Sequence, residues 1–352
     1  MSIIFAILIF SLLIFVHELG HFLAAKASGV QVNEFAMFMG PTLWKKQIGE
    51  TLYSIRLIPM GGFCAMEGED EDTDNPRSFH KAAWWKRLII LVSGAAMNLV
   101  IGVLLLAIVI SPGKYTNVLV VDSFESWSTL DDYGMQVGDE IIEIDGEKMF
   151  VYSDFSMMLT LNPGEKHDLV VLRDGKKVVL DDFTMETHEV TLDDGSKVER
   201  YGVTFSYAEL DFIGKIKLVG ATTIDWIRSV RLSLKMLFTG KVGFSQVSGP
   251  VGIVSQMSDV AAQSATWVDA LLNMLYFGAY IAVNLAVMNL LPIPALDGGR
   301  VFALVVTSGI EAITKKRIDP KYEGYIHAVG MILLFGLMGV IMFKDIFAIF
   351  TR

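Results

Sequence analysis

The sequence predicts a multi-pass α-helical membrane protein with four transmembrane helices, a membrane-associated β-hairpin or small sheet, and an inserted extracytoplasmic α+β domain. Three observations predict it. Of 352 residues, 53% are hydrophobic and the mean hydropathy is +0.49, too apolar for an ordinary soluble protein. Four apolar runs read as membrane spans. A polar, strand-patterned stretch separates the second run from the third. The formal net charge is -10 and no Lys/Arg-rich tract occurs, which argues against a nucleic-acid partner. Cys64 is the only cysteine, so no intrachain disulfide forms. The N-terminus lacks a basic start and a small-residue cleavage site, and so does not read as a cleavable signal peptide.

The first run extends from Ile3 to about Ala25 and contains Phe15-Val16-His17-Glu18-Leu19-Gly20-His21-Phe22. Residues four apart share a helix face, so His17 and His21 point the same way. Two imidazoles so placed can hold one zinc ion, with Glu18 beside them as the proton carrier of a metal hydrolase. An ionisable group inside a spanning helix costs about 2.5–3.5 kcal/mol, and is kept mainly when it has a partner or a task. A polar patch packed against other helices is the alternative reading.

A polar stretch, 26–87, follows. Gln31 to Gly40 alternates weakly, and Thr42 to Gln47 and Thr51 to Ile58 flank the turn Ile48-Gly49-Glu50. Pro59 to Met66 reads as a glycine-softened final strand, and the whole as a small antiparallel sheet near the membrane. Glu67 to Asn75 is acidic, poor in apolar residues and expected to be mobile. Trp84-Trp85-Lys86-Arg87 reads as an interface anchor. Leu88 to Ile110 is the second span. Within it, Ser93-Gly94-Ala95-Ala96-Met97-Asn98 combines small residues that let helices approach with one buried amide.

From Ser111 to about Tyr207 the pattern is that of a β-rich soluble domain. Strands are predicted at Val118–Val121, Glu140–Ile144, Leu169–Leu172 and Lys177–Leu180, with a helix at Tyr152–Leu161. Asp145-Gly146, Asp174-Gly175 and Asp194-Gly195 are turn dipeptides. Asp211 to Thr239 reads as one or two amphipathic helices, and Ser248 to Ile253 as a rigid turn. The third span runs from about Ala270 to Leu291 and ends in Asn289-Leu290-Leu291-Pro292-Ile293-Pro294-Ala295-Leu296-Asp297-Gly298-Gly299-Arg300. Prolines stop the helix there and glycines let the backbone turn. Broken backbone at membrane depth persists where it is buried or lines a wet cavity. Asp297 in such a break is a natural third zinc ligand, or else a helix cap. A short helix from Val301 to Ile313, a basic loop (Lys315, Lys316, Arg317, Lys321) and a last span from about Ala328 to Phe343 complete the chain.

Four regions result: 1–112 with the first two spans, 113–207 as the inserted domain, 208–265 as an amphipathic helical region, and 266–352 with the last two spans. Basic residues crowd the two short loops, which the positive-inside rule assigns to the cytoplasm. The inserted domain then faces outward, and His17, His21 and Asp297 fall at similar depth toward the inner leaflet.

Gly134 to Gly146 resembles the core signature of a PDZ domain, a module that binds peptides by strand addition. His17 to His21, the Pro292 to Gly299 stretch and that module between the second and third spans together resemble the site-2 protease family, in its bacterial RseP-type and with a single PDZ domain. The resemblance implies an intramembrane zinc metalloprotease of the bacterial cytoplasmic membrane. It implies zinc on His17, His21 and Asp297, proton transfer by Glu18, and Asn98 as a donor to a developing oxyanion. Gly61 to Met66 resembles the family's membrane-embedded β-loop, so Gly62 to Met66 is expected to pair with an unwound substrate. Asn284 and Asn289 match asparagines that contact substrate. The implied substrates are single-span proteins in the lipid bilayer, such as anti-sigma factors after a first cleavage or signal-peptide remnants, with the PDZ domain excluding large outer domains or binding peptide. A non-catalytic PDZ receptor or scaffold with a structural metal site is the alternative, for which Glu18 is dispensable. A different membrane zinc protease would need another carboxylate, for which Glu311 is the one obvious candidate after the third span.

Overall fold

A computed structural model describes residues 2–350 except 70, 72, 162–165, 185–186, 192–196, 241–248, 263 and 316–320. Asp194-Gly195, Ser248, Lys316 and Arg317 lie outside the described residues. The chain divides into two units, 1–109 with 226–352, and 110–225. The insert is therefore longer at its C-terminal end than the sequence suggests.

In the first unit, α1 (Ser2–Ser28) leads into β1 (Val32–Ile48) and β2 (Thr51–Met66), and α2 (Trp84–Ile110) follows. The two strands make three rows, because β1 is paired on both sides. Phe35 faces Tyr53 on one side and Cys64 on the other, and Met37 faces Ile55 and Gly62. The last part of β2 thus returns along the opposite side of β1 and leaves Gly62 to Met66 as an edge. The glycine and proline around Met60 make this double use of β1 possible, since Gly61 takes a φ of 76°.

Both ends of the acidic stretch after β2 are bonded to the start of β1. Glu67 N–H donates to the Gln31 carbonyl (2.9 Å) and Phe79 N–H to the Glu67 carbonyl (2.7 Å). Asn33 and Asn75 side chains add bonds to Glu67 and Gln31. Polar residues that cannot build a core here bond to the start of β1 instead.

The C-terminal half of α1 packs on the sheet: Phe15, Leu19, Phe22 and Ala25 meet Phe35, Cys64, Met66, Ile90 and Leu91. Its N-terminal half packs on α5 (Pro250–Ala262) and α6 (Trp267–Asn289), through Ala6, Ile9, Leu13, Met257, Ile281 and Ala282. In lipid there is little hydrophobic drive between helices, so close packing of small residues decides association. A methyl group on Gly102 would lie 2.8 Å from Val283 of α6. The expected turn at Ser248–Ile253 is instead the start of α5, with Pro250 as its first residue, where the missing N–H is not needed. α7 (Asp297–Thr314) and α8 (Lys321–Phe350) close the unit. Among the described residues, four helices are long and apolar enough to cross a membrane: Ile4–Ser28, Trp84–Ile110, Trp267–Asn289 and Gly324–Phe347. Their outward faces carry Ile4, Leu8, Leu104, Ile108, Ile332 and Phe343, as a lipid-facing surface requires.

In the second unit, β3 (Tyr115–Phe124), β4 (Glu140–Ile144), β5 (Glu147–Lys148), α3 (Tyr152–Leu161), β6 (Lys166–Arg173), β7 (Lys176–Thr184) and β10 (Val203–Glu209) form a sheet in the order β10-β3-β4-β6-β7, with β5 on β4. A separate hairpin pairs β8 (His188–Thr191) with β9 (Lys197–Arg200). The first and last strands of this sheet pair, Tyr115 with Glu209. Asp145-Gly146 and Asp174-Gly175 both have positive φ, the hairpin geometry that their types allow. Asp139 explains the Gly-Asp-Glu sequence: fully buried, it takes Arg173 Nε and Nη2 at 2.7 Å each and the Gln136 N–H at 2.9 Å. α4 (Phe212–Thr239) starts in this unit; its later half belongs to the first, where Trp226 packs edge-on against Tyr276 and Tyr280.

Glu50, in the β1–β2 turn, accepts from Arg77 (2.6 and 2.8 Å) and Lys26 (2.6 Å). Arg77, then Lys26, hold its carboxyl down to about 2 from an ordinary 4.5. A depressed carboxylate stabilises the fold above its unfolded value and loses that effect as pH falls through its folded value. Thermal unfolding in detergent should show Glu50→Gln less stable than wild type by a constant margin above pH 5. That margin should shrink between pH 4.5 and about 2.

Candidate metal centre

His17 and His21 lie one turn apart on α1, and their rings meet edge-to-face with centroids 4.8 Å apart. Asp297 begins α7. The chain reaches it through a tight reversal after α6, with Ala295 at φ 85° and Leu296 extended. Gly298 and Gly299 are needed there: a methyl group on Gly298 would overlap the Leu290 and Leu291 carbonyls, and one on Gly299 would sit 2.8 Å from the Ile293 carbonyl carbon. At the N-terminus of α7 the aligned peptide dipoles favour the Asp297 anion.

Three atoms converge. His17 Nε2 is 3.2 Å from His21 Nε2, and Asp297 Oδ2 is 3.2 and 3.3 Å from them. Zinc with bonds of about 2.0–2.2 Å in tetrahedral array separates its ligands by about 3.3–3.5 Å. The triangle therefore matches three corners of a zinc tetrahedron. Asp297 Oδ2 is a buried oxygen with no hydrogen-bond partner, which a cation would satisfy. These three residues could hold the metal, and they are the only such group among the described residues. His21 Nδ1 lies 2.8 Å from the Ile90 carbonyl, which orients the ring and leaves Nε2 facing the triangle.

A cavity of about 700 Å³ opens beside the triangle. Glu18, Gly62 to Met66, Asn289, Asp297 and, from α8, His327 and Met331 line it. Adjacent amides on a strand point to opposite edges. Glu67 N–H points to β1, so Cys64 and Met66 N–H point away from it. Cys64 N–H faces the Glu18 carboxylate, and Met66 N–H donates to Glu69 Oε2 at 3.3 Å. Glu69 also pairs with Arg300 in the first turn of α7. Burial, then the Glu18 and Glu69 carboxylates, push the Cys64 thiol up, so Cys64 stays a protonated wall residue.

Of the remaining residues singled out by sequence, Gly62 fits closely: a methyl there would lie 3.2 Å from Glu18 Cγ. Asn289 lines the cavity, with Nδ2 3.4 Å from His17 Nδ1. Asn98 is buried and also faces His17 Nδ1, at 3.3 Å, behind the ring rather than in the cavity. That position does not suit an oxyanion donor, because the reacting atoms would gather on the Nε2 side. Asn284 is outside the cavity lining, and its amide donates to the Tyr280 carbonyl at 2.7 Å. One N–H of that amide is engaged on its own helix. Sequence reasoning does not single out Glu69, Arg300 as its partner, His327 or the role of Gly94. The one signal for Gly94 is its place in a small-residue run.

A family model described as peptidase family M50 matches residues 5–337. The chain belongs to peptidase family M50. Among M50 relatives, a protein of Clostridium perfringens named as a zinc metalloprotease is 36% identical over 351 residues, covering 98% of each chain. A Fusobacterium nucleatum protein named in the same way is 30% identical over the whole of both chains. The regulator of sigma-W protease RasP of Bacillus subtilis is 27% identical, covering 99% of each. The M50 cofactor is zinc, and the chemistry of the His-His-Asp triangle agrees with it.

Gly94 of α2 leaves room for both rings: a methyl there would overlap His21 Nε2 and lie 2.7 Å from His17 Cε1. Gly94→Ala should lower zinc retention at least ~10-fold in metal analysis after equilibration with a chelator. Gly336→Ala, where a methyl meets nothing, should retain wild-type zinc.

Proposed function

We propose that this metalloprotease is an intramembrane endopeptidase that hydrolyses peptide bonds within or near the spanning segments of single-span membrane proteins. The observation that carries the reading is the His17–His21–Asp297 triangle, with Glu18 on the cavity wall, built on helices long and apolar enough to cross a membrane. His17, His21 and Asp297 would hold zinc, which when bound supplies a Lewis acid and lets water ionise near neutral pH. Glu18 would take the proton of the attacking water and deliver it to the leaving amine nitrogen.

A spanning helix sheathes its own peptide bonds, so the substrate must unwind. The edge Gly62 to Met66 would accept the unwound segment as an added strand, replacing the lost helix bonds. Asn289 would offer its amide to the same backbone. Asn284 would keep its second N–H and its oxygen for substrate backbone, whereas Asn98 lies behind the His17 ring.

The insert, 113–207 within the structural unit 110–225, would be a single PDZ-like domain; its sheet order and the helix α3 support this. The loops rich in Lys and Arg support placing the insert outside and the metal centre near the cytoplasmic leaflet of a bacterial membrane. The RasP relative is named as a regulator of sigma-W. By analogy, anti-sigma factors trimmed by a first protease, or signal-peptide remnants, are the proposed substrates.

Cleavage of a tagged single-span substrate by purified protein tests this. Glu18→Gln should lose about 10²- to 10⁴-fold in rate while keeping its zinc. Equal cleavage by both proteins would refute the assignment.

A further inference from the structure

The two histidines are supported differently, and the difference identifies another residue of the site. His21 Nδ1 faces a carbonyl, that of Ile90 at 2.8 Å, which can only accept. Its proton therefore sits on Nδ1, and Nε2 is bare. His17 needs the same tautomer, because its Nε2 is the atom in the triangle. Its Nδ1 must then donate. Two side-chain amides face that atom, Asn98 at 3.3 Å and Asn289 at 3.4 Å.

Both amides turn nitrogen toward Nδ1. That arrangement suits only a His17 protonated on Nε2, which has no lone pair for a metal. Asn98 meanwhile is 1% exposed and its Oδ1 is buried with no partner. The oxygen and nitrogen of an amide have nearly the same shape, and their placement follows from the bonds around them. Turning the Asn98 amide over brings its orphaned oxygen to the His17 N–H.

We propose that Asn98 is a positioning residue of the metal centre: its Oδ1 accepts from His17 Nδ1–H and thereby selects the tautomer with a bare Nε2. Only one acceptor is needed. Asn98 takes that place because it is sealed in the protein one turn from Gly94, against the ring. Asn289 borders the cavity and keeps its amide for substrate backbone. This role rests on the metal-centre reading and lies behind the ligand, distinct from any contact with substrate or oxyanion.

The experiment is zinc affinity by chelator competition on the purified full-length protein, independent of proteolysis, for wild type, Asn98→Asp, Asn98→Leu and His17→Ala. Asn98→Asp keeps the shape and the acceptor and should hold zinc within about 3-fold of wild type or more tightly. Asn98→Leu has no acceptor and should bind about 10- to 100-fold more weakly. An oxyanion donor predicts the opposite pattern, with zinc affinity unchanged in both and activity lost in both. Wild-type affinity in Asn98→Leu would overturn the proposal, as would a 10-fold loss in Asn98→Asp, which stands even if the leucine variant does not fold. Zinc binding unaffected by His17→Ala would instead overturn the metal-centre reading, and this proposal with it.

Discussion

The close approach of α1 and α2 is the constraint on which the site depends. Gly20 faces the Ser93 backbone so tightly that a methyl would lie 2.8 Å from its carbonyl carbon. One turn along, Gly94 leaves the hollow that both imidazoles fill. Only at this separation does the Ile90 carbonyl reach His21 Nδ1 and the Asn98 side chain reach His17. The setting makes these contacts necessary. Buried away from bulk water, each polar group needs a partner in the protein or a bound ion. Three or four ionisable groups left unpaired would cost more than a typical helix pair gains by packing. Converging on one another and on a cation is the arrangement that removes this cost.

Two further elements complete the cavity. The reversal between α6 and α7 brings Asp297 to the triangle, and its glycines touch carbonyls so closely that no larger residue fits. The returning part of β2 supplies an edge whose outward amides at Cys64 and Met66 meet Glu18 and Glu69. Arg300 pairs with Glu69 and so joins the strand end to the α7 turn. Partner side chains at an edge strand are a common means of keeping it from promiscuous pairing. A strand arriving there must compete with Glu69 for the Met66 N–H, so pairing and the position of the acidic segment are coupled.

The insert is organised by a different kind of contact. The first and last strands of its sheet pair. The buried Asp139 is matched by a bidentate arginine and a backbone amide, which offsets the cost of removing a carboxylate from water. The Gly-Asp-Glu stretch is therefore structural in this domain. Recognition of any peptide would rest on the sheet and helix around it.

Local spacing writes much of the architecture into the sequence. Residues four apart on a helix share a face, so the pattern alone puts His17 and His21 together with Glu18 beside them, and run length marks the spans. Asp145-Gly146 and Asp174-Gly175 mark two turns of the insert, and β3, β4, β6 and β7 lie where alternation puts them, while β5, β8, β9 and β10 have no such signal. Local signals also mislead. Pro250 suggests a turn but starts a helix, and the acidic run after β2 gives no sign of the bonds that Glu67 and Asn75 make to Gln31 and Asn33, far away in sequence. What the sequence does not show is long-range: that β1 is paired on both sides, that Gly94 is the hollow for two rings, that Asn98 lies behind His17 while Asn284 turns to its own helix, and that α8 brings His327 to the cavity. Helix and strand periods act over a few residues and are written in the chain. The angle and depth at which those elements meet are set by close packing among residues tens to hundreds of positions apart, and only the tertiary structure decides them.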